Sequence, residues 1–249
     1  MFNHQELTPN DVRYVVERLP RDIRKILSKY PRLVMLGGGF IRASIAGEVP
    51  SDIDIFGDSK ERLKLIAQDL VNERPGSKMH ESKNAITVIT PNRLPVQFIT
   101  RWTFTDPNAC CASFDFTVCQ AVIWRAGTQN NASWCSTASK SFYVDLAGRR
   151  LVYTNPVRDE EAGGSMLRVI KYVKRGYSIQ VTSLGDVIAR LLGAVRDARE
   201  NEMASGEAEH PVPHLSTGKI IAGLLREVDP LLVIDGFDIV DDHETDEPQ

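Results

Sequence analysis

Apolar positions along the chain switch between a helical and a strand period, and the switches mark its elements. LTPNDVRYVVERL (7–19) has helical spacing, with Thr8 as N-cap, Pro9 at the first helical position and Asp11 in the first turn. DIRKILSKY predicts a second short helix before Pro31. RLVML (32–36) is a continuous apolar run, a buried strand that stops at Gly37, Gly38 and Gly39; FIRASIAG then reads as a short helix entered directly from the turn. EVPS is a loop, and DIDIF (52–56) alternates as a strand.

Beyond Gly57, Asp58 and Glu61 offer a capping box for a helix that carries Leu63, Ile66 and Leu70 on one face and ends near Pro75. AITVIT and LPVQFIT alternate on either side of Pro91 and Asn92, which predicts a hairpin. FDFTVCQAVIW (114–124) is apolar throughout, and periodicity leaves strand and helix both open. SFYVDLAGRRLVY reads as two short strands around Gly148. From about residue 155 the pattern turns helical, in SMLRVIKYVKRGY and TSLGDVIARLLGAVRDAR, and EMASGEAEHPVPH reads as a loop. The expected organisation is a mixed head over 1–154, a helical domain over 155–240 and an acidic, disordered tail over 241–249.

Composition narrows the class. With 249 residues, 42% of them hydrophobic, the chain can bury an ordinary core. It has no apolar run of membrane-spanning length and no basic-then-apolar leader at its start, so a cytoplasmic protein without a membrane partner is expected. Cys110, Cys111, Cys119 and Cys135 fit neither a zinc spacing nor a disulfide framework and read as reduced, mostly buried residues. The 30 basic residues face 33 acidic ones, but seven of the acids fall between Asp235 and Glu247. The rest of the chain is therefore mildly basic, which permits a nucleic-acid partner without requiring one.

The chemistry gathers at the glycine turn. On a strand, residues i and i+2 share a face, so Asp52 and Asp54 present two carboxylates together while Ile53 and Ile55 enter the core. Like charges so placed repel, and Mg²⁺ suits such a pair because it binds one or two carboxylates plus phosphate oxygens of a substrate. A glycine turn opening a helix offers backbone N–H groups to a triphosphate, and Arg42 can add a charge-assisted contact or be an ordinary solvated helix residue. Two metal ions between the aspartates and the phosphates would support in-line displacement, which is nucleotidyl transfer. His210 and His214 are spaced H-x₃-H, yet Pro211 and Pro213 preclude the helix that would align them on a metal. Trp102, Trp124 and Trp134 read as packing residues, and RVIKYVKRGY as a basic helix that is either a solvated face or a nucleic-acid contact.

The spacing of Gly38, Gly39, Ile41, Arg42, Ile45, Gly47, Asp52 and Asp54 resembles the first motif of the head domain of bacterial CCA-adding enzymes and poly(A) polymerases (class II tRNA nucleotidyltransferase type), in the polymerase-β-like nucleotidyltransferase superfamily. FDFTVCQAVIW is similar to that family's RRDFTINAL segment, and LRVIKYVKRGYSI to its LRxxRFxxxxGF helix. The resemblance implies an α+β fold: a head with a small mixed sheet flanked by helices, then a short all-helical domain. It implies that Asp52 and Asp54 hold catalytic Mg²⁺, with Mn²⁺ as a substitute, that Gly38, Gly39 and Arg42 bind an NTP's triphosphate, and that Asp115 is catalytic and contacts the nucleotide. It places Arg168 and Lys171 toward the phosphates or the acceptor. The chain departs from the family at Ala43, at Ser113 and Phe114 where two arginines are expected, at AGGSM in place of D-P-x-R, and in lacking an E-D-x-x-R helix motif. The seat of a third carboxylate, beside DIDIF, is held by Gln97, with Asp115 and Asp145 as possible substitutes.

The expected function is Mg²⁺-dependent transfer of a nucleoside monophosphate from an NTP to a hydroxyl, with a tRNA-like RNA 3′ end as acceptor, in an accessory, phage-associated or toxin-like enzyme. Two other readings stay open: the same chemistry on a protein or small-molecule hydroxyl, and a non-catalytic nucleotide-binding module.

Overall fold

The computed structural model describes residues 3–127, 132–156 and 162–204, together with Thr217 and Ile221. Its elements run β1 (His4–Gln5), α1 (Pro9–Arg18), α2 (Arg21–Lys29), β2 (Val34–Gly37), α3 (Gly39–Ile45), β3 (Ile53–Gly57), α4 (Lys60–Glu73), β4 (Lys78–Glu81), β5 (Ala85–Ile89), β6 (Val96–Ile99) and α5 (Pro107–Ala112). After a 3₁₀ turn at Thr117–Cys119 come β7 (Ala121–Ala126), β8 (Ser133–Ser139), α6 (Phe142–Ala147), β9 (Arg150–Leu151), α7 (Ala162–Lys174), β10 (Ser178–Ile179) and α8 (Val181–Ala204). This is the mixed α+β architecture that the sequence predicts. His210, His214 and the acidic tail lie outside the described residues.

Two compact units divide the chain: Met1–Arg158 with Tyr172–Asp186, and Asp159–Lys171 with Val187–Gln249. In the first, an eight-stranded sheet runs in the order β1-β8-β7-β2-β3-β6-β5-β4. Neighbouring strands pair antiparallel except β3 and β6, which are parallel. The first helix forms as its capping residues dictate, with the Thr8 hydroxyl accepting from the Asp11 N–H at 3.2 Å and Pro9 leading the helix. The hairpin between β5 and β6 turns at Asn92, whose φ of 59° is tolerated because the asparagine amide stabilises a left-handed backbone.

The sheet has two different faces. Ile53, Ile55 and Gly57 lie on the side covered by α4, where a Cβ on Gly57 would come within 2.9 Å of Leu63. Asp54 and Phe56 lie on the other side. There Phe56 joins Met35, Val122, Cys110 and Cys111 in a cluster flanked by Phe104, Phe114 and Trp124. All four cysteines are free, and three of them are buried.

Some elements differ from the sequence reading. Residues 141–153 form one helix and one strand where two strands are expected, because Phe142, Asp145 and Leu146 are buried at helical spacing while Val144 is exposed. Helix α4 starts one residue later than the capping box implies: Ser59 caps it, and the Asp58 carboxylate pairs with Arg62. Residues 114–124 resolve into the 3₁₀ turn followed by β7. In the second unit, Leu167 and Val169 of α7 and Val187, Leu191 and Val195 of α8 are buried.

Candidate active site

Strand β2 delivers the chain to a turn that only glycine fits. Gly38 has φ 69° and ψ −126°, a conformation that penalises any Cβ. A Cβ on Gly37 would stand 2.8 Å from the Phe114 ring and 2.9 Å from Phe56, and one on Gly38 would stand 2.9 Å from Phe114. The ring of Phe114 thus lies against the outside of the turn, in edge-on contact with Phe56 at 5.4 Å between centroids. Hydrogen bonds to its backbone fix Phe114: its carbonyl accepts from the Thr154 hydroxyl at 2.7 Å and from the Gln120 amide at 3.3 Å.

Gly39 differs from its neighbours. Around the position of a Cβ there, the one heavy atom within 4 Å is Oδ1 of Asp52, at 3.9 Å. A methyl group there would meet the Asp52 carboxylate only at ordinary van der Waals distance, so the glycine leaves a gap about one methyl wide beside that carboxylate. Asp52 and Asp54 are both half-buried on either side of the fully buried Ile53. Asp54 stands in register with Gly37 of β2 on one side and with Gln97 of β6 on the other. The turn, both aspartates and Gln97 therefore meet at one end of the central strands.

Two carboxylates beside an open glycine cradle fit Mg²⁺, a hard cation that keeps several positions for water and substrate phosphate. Among the described residues no group of three or more His, Cys, Asp or Glu side chains is placed to hold a metal ion. The amide of Gln97 can offer a neutral oxygen but cannot take a proton at working pH.

The other sequence-predicted residues fall into different environments. Asp115 is 2% exposed, and its carbonyl accepts from the Thr154 N–H at 2.9 Å. Asp145 is 1% exposed and committed to structure, accepting from the Thr117 hydroxyl at 2.6 Å and from both Nε and Nη2 of Arg150. Arg168 and Lys171 belong to the second unit, on α7. Trp124 packs beside the Phe56 cluster, whereas Trp102 and Trp134 carry Arg101 and Arg125 over their rings, at 5.2 and 5.0 Å.

The guanidinium of Arg42, expected to reach a triphosphate, is 1% exposed. It pairs with Glu48, donates to the Tyr177 hydroxyl at 3.2 Å, and lies 4.9 Å from the Tyr172 ring centroid and 5.6 Å from that of Tyr177. The Tyr177 hydroxyl in turn donates a hydrogen bond to Glu48 at 3.0 Å. Burial pushes the Arg42 guanidinium toward neutrality, but Tyr172, Cys119, Tyr177 and Glu48 outweigh it and raise its pKa. Burial likewise pushes Tyr172 well above, and Tyr177 above, the ordinary phenol value, so both are neutral. Sequence reasoning missed this cluster. Its one local signal is an acid, Glu48, six residues beyond the arginine.

A family model described as "Gabija anti-defense 2 family protein" matches residues 8–149, which carry the glycine turn, both aspartates and Asp145. The chain belongs to the Gabija anti-defense 2 family. No curated protein matches this family member. Solved structures do. A CCA-adding enzyme in complex with ATP is 17% identical with a TM-score of 0.53, over 92% of this chain and 57% of that one. The apo form I of a CCA-adding enzyme is 16% identical with a TM-score of 0.52, over 90% and 54%. A CCA-adding enzyme in complex with CTP is 16% identical with a TM-score of 0.50, over 80% and 49%. This member of the Gabija anti-defense 2 family therefore has a nucleotidyltransferase-like fold and spans about half the length of the enzymes that share it.

Proposed function

We propose that the protein is a nucleotidyltransferase that moves a nucleoside monophosphate from an NTP to a hydroxyl acceptor, with an RNA 3′ end as the leading acceptor. The observation that carries the reading is that the Asp52 carboxylate is the one group beside the Gly39 position, at the strand end where Asp54 also stands. The ATP and CTP complexes of CCA-adding enzymes with this fold support an NTP as substrate.

Asp52 and Asp54 would hold Mg²⁺, or Mn²⁺ in its place. That cation supplies charge neutralisation at the phosphates and activation of the acceptor hydroxyl. The chain's own groups orient the substrate. Gly38 and Gly39 let a triphosphate approach the backbone closely, while the wall made by Phe114 and Phe56 restricts water on one side of the turn. The acceptor oxygen bonds to the α-phosphorus, the bond from that phosphorus to the β-phosphate's bridging oxygen breaks, and pyrophosphate leaves. Because Gln97 cannot take the acceptor's proton, that proton passes to solvent. Asp115, with Arg168 and Lys171, remains proposed for nucleotide or acceptor contacts.

Two observations favour other readings. The family's anti-defense description favours the same chemistry on a protein or small-molecule hydroxyl. The engagement of Arg42 by Glu48 and Tyr177, together with Gln97, favours a module that binds nucleotide without turning it over. Incubating the full chain with labelled NTPs, Mg²⁺ and total RNA tests all three. The proposal expects label in RNA, lost in Asp52→Ala. Label in protein moves the acceptor, and NTP binding without pyrophosphate release overturns catalysis.

A further inference from the structure

The buried cluster around Arg42 spans the path between the two halves of the candidate site. Arg42 lies on α3, whose first residue is Gly39, and its backbone N–H donates to the Gly38 carbonyl at 3.2 Å. Glu48 lies on the loop that leads from α3 to Asp52, and its backbone N–H donates to the Ala43 carbonyl at 2.8 Å. The Arg42–Glu48 pair thus closes the segment whose ends are Gly39 and Asp52. Tyr177 locks the closure by accepting from Arg42 and donating to Glu48. Beside Tyr177, at 5.6 Å between ring centroids, the Tyr172 ring lies against the same guanidinium, and its hydroxyl stands 2.8 Å from Sγ of Cys119, four residues past Asp115.

We propose that Arg42, Glu48 and Tyr177 are positioning residues that set the separation between the Gly39 backbone and the Asp52 carboxylate, and that Arg42 acts through this clamp without touching the nucleotide. The proposal rests on the nucleotidyltransferase reading of Asp52. A guanidinium with 1% exposure, engaged by a carboxylate and a phenol and faced by two aromatic rings, is held by the fold. Replacing Tyr177 by Phe removes the hydroxyl that ties arginine to glutamate while keeping the ring and its packing. Glu48→Gln removes the charge and keeps the shape.

The test is Mn²⁺ binding to the full chain in the presence of ATP, followed by calorimetry, with thermal melting and amide exchange of residues 46–52 measured on the same samples. Tyr177→Phe and Glu48→Gln are expected to stay folded, to speed exchange across 46–52, and to weaken Mn²⁺ binding by about tenfold, the scale of one charge-assisted hydrogen bond. Asp52→Asn is expected to abolish that binding without changing the exchange. Unchanged exchange and unchanged Mn²⁺ affinity in folded Tyr177→Phe and Glu48→Gln overturn the clamp alone. Mn²⁺ binding that survives Asp52→Asn, or is absent from the parent chain, overturns the functional reading and the clamp's purpose with it.

Discussion

Asp54 and Gln97 stand opposite each other on adjacent parallel strands, a carboxylate and an amide in one register of the sheet. This single pairing decides how much negative charge the protein itself brings to the candidate site. Gln97→Glu would add a third carboxylate next to Asp54. In metal-free buffer the variant is expected to melt below the parent, since neighbouring like charges repel. Added Mn²⁺ should reverse the order, with affinity raised on the order of tenfold, or about 1.4 kcal/mol. Thermal melting across a Mn²⁺ series reads both effects.

The three glycines should respond differently to alanine. Gly37→Ala drives a methyl group into Phe114 and Phe56, and Gly38→Ala adds left-handed strain to a contact with Phe114. Each is expected to cost about 1–3 kcal/mol in denaturant unfolding. Shortening Phe114 to Leu should recover part of the loss at Gly37, whereas the strain at Gly38 should persist in the same double-mutant cycle.

Gly39→Ala, by contrast, meets only a carboxylate oxygen at van der Waals distance and opens a helix, where alanine is favoured. Its melting temperature should hold or rise while Mn²⁺·ATP binding falls. Calorimetry beside a melting curve separates the two.

Acid stability should centre on Asp22. Burial pushes its pKa up, but the hydrogen bonds and charge of Arg74, with Ile23 N–H and Arg93 adding to them, hold it below the usual carboxylate value. The stabilisation is complete above the unfolded-state pKa of about 3.9 and is lost as pH falls through the lower folded value. Asp22→Asn should flatten the acid limb of a stability-against-pH curve. Arg74→Ala, which strips a 2%-exposed side chain from its carboxylate, should cost about 3 kcal/mol at neutral pH.

At the alkaline end one contributing group is Tyr143, whose hydroxyl donates to Asp11 at 2.6 Å and accepts from the Thr8 N–H at 2.9 Å. Burial, followed by the hydrogen bond to Asp11, pushes it up to about 12. The folded state keeps its proton where the unfolded chain loses it, so stability falls as pH rises from the ordinary value near 10 toward 12. Tyr143→Phe should lessen that decline, as followed by melting between pH 9 and 12, and leave the share that Tyr172 and Tyr177 contribute.

The glycine turn, DIDIF and the first helix were legible because a single local rule governs each: a positive φ, a two-residue alternation, a capped first turn. Strand β8, SWCSTAS, was not legible. It buries Ser136, Thr137 and Ser139, and small hydroxyl residues give no apolar period to read. Residues 142–147 misled for the opposite reason, since an exposed valine among apolar neighbours imitates alternation. Arg42 was legible as a residue of interest but not in its setting, because Tyr172 and Tyr177 lie far along the chain and no local pattern announces them.

That separation has a consequence for how the chain emerges from a ribosome. The Arg42 guanidinium and the Tyr177 hydroxyl are 135 positions apart, so a nascent chain carries the arginine and Glu48 long before Tyr172 and Tyr177 exist. Until then the cation favours hydration over burial, and the segment from Gly39 to Asp52 has no completed anchor. Vectorial synthesis therefore leaves the corner of the glycine turn and Asp52 among the last parts of the first unit to mature, after most of its sheet has been made.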